Sequence, residues 1–131
     1  MLPVGSKLDA GKDRWDLVDW PWAVEMVKVL TKGAVKYSPD NWKIVPGARR
    51  RYIAALFRHV VAWAKGETND PEDGLHHLAH ASCCLMFLFW FDKNPGKEVP
   101  DEEKQVEEPK VPANGVGSSL GFLARAKRRK D

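Results

Sequence analysis

The chain has 131 residues, 44% of them hydrophobic and six of them tryptophan, with a formal net charge of +3. That length allows one domain with a core of its own, and the apolar share excludes a disordered chain. The small net charge does not by itself argue for nucleic-acid binding. "MLPVGSKLDAGK" holds no apolar stretch behind its first charge, so no signal peptide is expected. "ASCCLMFLFWF" is eleven residues long, too short to span a bilayer. Its adjacent Cys83 and Cys84 cannot readily pair with each other and read as reduced core thiols of a cytoplasmic protein.

Residues 1–17 read as an extended arm, interrupted by Pro3, Gly5 and Gly11. A first helix is predicted from near Pro21, a residue suited to a first helical position, to about Tyr37. Val24, Val27 and Ala34 form its apolar side, and Glu25, Lys28, Lys32 and Lys36 a polar lane. "SPDNW" breaks it with Pro39 and Asn41. A second helix runs from about Ala48 to Lys65 and stops at Gly66. A third is predicted from Asp70-Pro71, as N-cap and first-turn proline, to Phe91. From Asp92 the chain turns proline-, charge- and glycine-rich and reads as a disordered linker ending in the basic "LGFLARAKRRKD". The fold expected is therefore all-α: a helical domain over 1–91, with a bundle of three to four helices at about 15–91, and a tail over 92–131. Three helices bury little alone, so dimerisation is expected to complete the core.

"GETNDPEDGLHHLAH" holds three of the four histidines, with His59 seven residues upstream of Gly66. On a helical wheel Glu72, His76, His80, Asp73 and His77 fall at about 0, 40, 80, 100 and 140°, one continuous arc. One turn later the same arc becomes Cys84, Phe87 and Phe91, so the cluster is expected at the mouth of a packed interface. Capping by Asp70 and a favourable helix dipole explain any single acid there. The joint set is harder to dismiss: His77 and His80, with Asp73 one turn earlier, can converge on one ion. Oxygen donors with a few imidazoles suit Mg²⁺ or Mn²⁺ better than structural zinc. The second helix adds a basic stripe, Arg51, Arg58 and Lys65, with His59 and Trp63 beside it. A solvated face is its plain reading; a cationic stripe beside a carboxylate cluster also suits a metal–polyphosphate substrate.

Four blocks in order, "DAGKDRWDL", "KGAVKYSPDNW", "RYIAALFRHVVAWAKGE" and "DPEDGLHHLAHA", resemble a phage family: the MazZ-like dATP/dGTP diphosphohydrolases, relatives of the all-α MazG-like nucleotide pyrophosphohydrolases. The resemblance spans roughly residues 7 to 91 and leaves the tail uncovered. It implies hydrolysis of a purine deoxynucleoside triphosphate, dGTP or dATP, to monophosphate and pyrophosphate, with Mg²⁺ or Mn²⁺. It also implies a role in remodelling phage nucleotide pools for 2-aminoadenine DNA, in the host cytoplasm. Carried over residue by residue, it implies metal ligation by Glu67, Asp70, Glu72, His77 and His80, with Glu67, Glu72 and His59 catalytic. The substrate side falls to Lys12, Arg14, Lys32, Lys36, Tyr37, Asn41, Trp42, Arg58 and His59. One departure stands out: the paired-glutamate signature of MazG-like enzymes is missing, since the second helix has no glutamate before Glu67.

The chemistry expected is metal-assisted attack of water on the α-phosphorus, with a carboxylate or histidine outside the ligand set taking the proton. Lys12, Arg14, Lys32 and Arg58 would hold phosphates, while Tyr37, Asn41 and Trp42 offer a ring and an amide to a base. A homodimer or homotetramer with no membrane contact is expected. The rival expectation is a non-enzymatic helical accessory protein that binds nucleic acid through its basic tail.

Overall fold

The computed structural model describes residues 1–101. The basic end, and the linker past Asp101, lie outside them. Among the described residues the regular elements are three α-helices, α1 (Trp20–Lys36), α2 (Ala48–Ala64) and α3 (His77–Lys93), with short 3₁₀ turns at Trp15–Leu17 and Asn41–Ile44. There is no strand among the described residues beyond one isolated bridge, Asn69 to His76. None of their helices is long and apolar enough to cross a membrane.

α1 begins where the sequence places it. Asp19 accepts a hydrogen bond from Trp22 N at 3.2 Å, and Pro21 sits in the first turn, where its missing N–H costs nothing. After α1, Asp40 adopts a left-handed conformation (φ 60°), a turn that Asp tolerates better than bulkier residues. The 3₁₀ turn that follows delivers Trp42 to α3. There its ring stacks on Phe87 with centroids 4.4 Å apart and meets Trp90 and Phe91 edge-on. Such pairs are worth about 0.5–1.5 kcal/mol each beyond area burial.

α3 is the central element. It packs along both α2 and α1, and it carries Ala79, Ala81, Cys83, Cys84 and Phe91, most of the buried apolar side chains. Small residues at these positions let the neighbouring helices come close. Pairings along the seam show that α2 and α3 run antiparallel: His59 lies beside His77 and His80, Tyr52 beside Phe87, and Arg49 donates to Phe91 O. α1 is tied to α3 by Trp22 Nε1, which donates to Ser82 Oγ, and by the Cys83 thiol, which donates to Met26 O.

The end of α3 differs from expectation. It runs two residues past Phe91, and the chain then returns to the start of α2. Gly47 N donates to Val99 O and Arg49 N to a Glu98 carboxylate oxygen, so Glu98 serves the open N–H groups of α2.

The start of α3 is a correction. It begins at His77 and not at Asp70-Pro71, and its N-cap is His76, whose Nδ1 accepts from Leu78 N at 3.0 Å. Residues 70–76 form a loop because two aspartates bond their own backbone. Asp70 Oδ1 accepts from Glu72 N and Asp73 Oδ1 from Leu75 N, both at 2.9 Å. Gly74 turns the chain at φ 73°. Side chains that bond backbone N–H groups two residues on compete directly with helix formation. Glu72, Asp73 and His76 therefore do not share a helical arc with His77 and His80.

Candidate metal centre

A short antiparallel bracket holds the loop. His77 N donates to Thr68 O at 3.0 Å, Asp70 N to Leu75 O at 2.8 Å, and Gly74 N to Asp70 O at 2.7 Å. From α1, Lys32 Nζ donates to Asp73 O at 2.7 Å, and Lys36 Nζ pairs with Glu72 at 3.2 Å. The lysine lane of α1 thus ties down the loop that carries the acids.

Above this bracket α2 and α3 bring three imidazoles together. His59 Nδ1 lies 2.9 Å from His77 Nδ1, and the His59 ring stacks on His80 with centroids 4.5 Å apart and planes 5° off parallel. Asp70 Oδ2 stands 3.8 Å from His59 Nδ1, and Asp73 Oδ2 stands 2.9 Å from His80 Nε2. Two sets of donor atoms result, each within 4.8 Å of one another: His59, Asp70 and His77, and Asp70, Asp73 and His80. Asp70 is common to both. The side chains of His59, Asp70 and His80 keep 16–18% exposure, sheltered yet reachable from solvent.

The electrostatics follow from that shelter. Burial pushes the His59 imidazole below its ordinary range, and neighbouring His80 pushes the same way, so His59 is biased to the neutral form that can donate a lone pair. Burial raises the Asp73 carboxyl, but the Leu75 N–H and His80 outweigh it and hold the group below the usual carboxylate range.

The donor chemistry fits a divalent cation. The 2.9 Å between the two Nδ1 atoms is about the spacing of adjacent ligands on a six-coordinate ion with bonds of about 2.1 Å. No thiol belongs to either set; burial raises Cys83 to about 12 and Cys84 to about 11, which keeps both protonated.

Of the metal ligands expected from the sequence, the structure gathers Asp70, His77 and His80. Glu67 stands outside both sets, 2.6 Å from the far nitrogen of His77. Glu72 is exposed on the loop, on Lys36. His59 joins the donors. Asp73, which the resemblance did not single out but the spacing to His77 did, joins them too, from the loop and beside His80. On the substrate side, Lys12 and Arg14 are exposed on the arm, and Arg14 bonds Asp16. Tyr37 is exposed, with the Lys36 ammonium 5.2 Å from its ring centre, and Asn41 is half-buried. Trp42 belongs to the aromatic cluster of the core. Arg58 lines an open hollow of about 620 Å³ together with Phe57, Val61, Lys65 and Glu67.

The family described as "dATP/dGTP diphosphohydrolase, N-terminal" matches residues 4–102. The chain belongs to this family. A "dATP/dGTP diphosphohydrolase" of Salmonella phage PMBT28 is 35% identical over 83% of this chain and 44% of its own length. The chain thus spans less than half of that relative. The family match takes in all three helices, the loop and every donor of both sets, and ends where the chain has returned to the start of α2. No solved structure matches the chain.

Proposed function

We propose that this chain carries the metal site of an enzyme that hydrolyses a purine deoxynucleoside triphosphate, dATP or dGTP, to the monophosphate and pyrophosphate. One observation supports this above the rest: two histidine–carboxylate donor sets meet at Asp70, partly sheltered from solvent. The family description and the printed name of the phage relative point to the same reaction.

His59, Asp70 and His77 hold a divalent ion, with Asp73 and His80 offering a second set beside it. The mixture of imidazole and carboxylate suits Mn²⁺ at least as well as Mg²⁺. The ion, when bound, supplies charge to the phosphate oxygens and polarises a water. The residues do the rest. Glu72, outside both donor sets and open to solvent, accepts the proton of the attacking water. Attack at the α-phosphorus breaks its bond to the bridging oxygen of the β-phosphate, and pyrophosphate leaves. Arg58 and Lys65, on the hollow next to Glu67, hold phosphate oxygens. Lys12 and Arg14, exposed on the arm, would add charge to them once Arg14 leaves its pair with Asp16. Since Trp42 is committed to the core, Tyr37 is the ring left for the base. Such a reaction removes dATP and supplies dGMP, as the pools behind 2-aminoadenine DNA require.

The test is a panel of the four deoxynucleoside triphosphates with Mn²⁺ or Mg²⁺, with products resolved by anion exchange. Purine substrates alone should give monophosphate and pyrophosphate in equal amounts. Glu72→Gln should abolish turnover with unchanged helical content and Mn²⁺ affinity. Release of triphosphate or of single phosphates would overturn the reaction assigned, and a fully active Glu72→Gln would remove Glu72 from it.

A further inference from the structure

We propose that Glu67 is a positioning residue, whose carboxylate holds the His77 ring with its unprotonated Nδ1 turned toward the cation site. The inference rests on the reading that a divalent ion sits at His59, Asp70 and His77, and it deepens that reading by placing Glu67 outside the ligand set.

His77 Nε2 and Glu67 Oε1 are 2.6 Å apart. A carboxylate only accepts, so the ring nitrogen supplies the hydrogen. A neutral imidazole has one N–H, which leaves Nδ1 of His77 as a bare lone pair. That is the atom facing His59 Nδ1 at 2.9 Å, in the donor set shared with Asp70. Metal-binding histidines are commonly oriented in this way, with the second ring nitrogen donating to a carboxylate that fixes the tautomer and raises ligand basicity.

The backbone is built to keep the pair in place. Glu67 N donates to Ala62 O at 3.0 Å, closing the end of α2, and His77 N donates to Thr68 O at 3.0 Å. The acid is therefore anchored at the end of α2, one residue before the bracket rung that holds the ring's backbone. His77 is almost fully buried, whereas the Glu67 side chain is 52% exposed. The acid thus reaches the ring from the solvent side, and changing it does not open the core.

The experiment uses the full chain, stripped of metal. Nitrogen-15 imidazole NMR reads the His77 tautomer, and Mn²⁺ titration followed by electron paramagnetic resonance reads affinity. The native chain should show His77 protonated at Nε2 and bare at Nδ1. Glu67→Gln keeps shape and an acceptor but loses the charge. It should retain the helical spectrum, shift the Nε2–H resonance, and weaken Mn²⁺ binding by about 10- to 100-fold. Unchanged affinity with unchanged imidazole signals would overturn the proposal. So would a loss of binding as complete as in Asp70→Asn, which would make Glu67 a ligand. If the native chain binds no Mn²⁺, the metal reading of the cluster fails, and the tautomer in the metal-free chain still decides the part of Glu67.

Discussion

Asp70 does several jobs with one residue. Its N–H and C=O close the bracket, Oδ1 holds the Glu72 N–H, and Oδ2 remains for the donor sets. An aspartate can combine these because its short side chain reaches its own backbone two residues on; a glutamate there would lose the turn. The cysteines show the opposite economy, since their chemistry is suppressed. Burial raises Cys83 to about 12 and Cys84 to about 11, from an ordinary value of 9.0. A thiol whose pKa is higher in the folded than in the unfolded chain contributes stability that is complete below pH 9 and lost as pH rises through the folded values. The metal-free protein should therefore show a lower urea midpoint at pH 10.5 than at pH 8. A Cys83→Ala, Cys84→Ala double variant, weaker at pH 8, should lose less over the same interval. Iodoacetamide at pH 8 should label neither thiol until guanidinium is added; rapid native labelling would contradict the burial.

At the scale of elements, each helix boundary depends on one or two residues. Asp19 with Pro21 starts α1, and Gly66, at φ 101°, follows the end of α2. Pro21 and Gly66 were legible in the sequence because they act locally. The start of α3 was not, because Asp70-Pro71 satisfies the same composition rule as a true N-cap while its side chain bonds within a turn. His77 and His80 were legible as a pair on one helix face. Asp73 was legible beside them, though as a helical neighbour and not as the loop residue it is; the places of His59 and Glu67 were not, since they depend on how α2, the loop and α3 meet. The start of α2 stands at Ala48, where the sequence places it; what the sequence hid was the partner of its open N–H groups, since Glu98 comes from far along the chain. Gly47 sits there at φ 62°, and a Cβ on it would lie 2.7 Å from the Asp101 carboxyl and 2.9 Å from Asp101 Cβ. Gly47→Ala should cost about 1–2 kcal/mol from the left-handed backbone alone, read as a lower urea midpoint. Adding Asp101→Gly should recover only the part due to the clash. An unchanged midpoint in Gly47→Ala would mean that this turn relaxes freely.

At the scale of the whole molecule, the described residues 1–101 form a thin core. Among the described residues, apart from His77, the buried side chains are Ala48, Ala79, Ala81, Cys83, Cys84 and Phe91, and none belongs to α1. Phe57 on α2 keeps 61% of its surface exposed, and Leu85 and Phe89 on α3 keep 56% and 63%. Apolar area is worth about 25 cal/mol per Å² when covered, and side chains of this size left in water are a reservoir for association. Dimerisation, the outcome expected from three helices that bury little alone, is the prediction these exposed side chains put to the test. A stable pair needs about 1,200–2,000 Å² of covered surface, and exposed aromatic side chains such as Phe57 are the kind of residue whose loss such a pair would feel. Light scattering of the purified chain should give about twice 14.8 kDa. Phe57→Glu should shift that mass to the monomer while leaving the His59–His77 pair intact, because Phe57 lines the open hollow and is not among the donors. A native chain that remains monomeric at the highest soluble concentration would show that α2 and α3 tolerate these exposed rings unpaired.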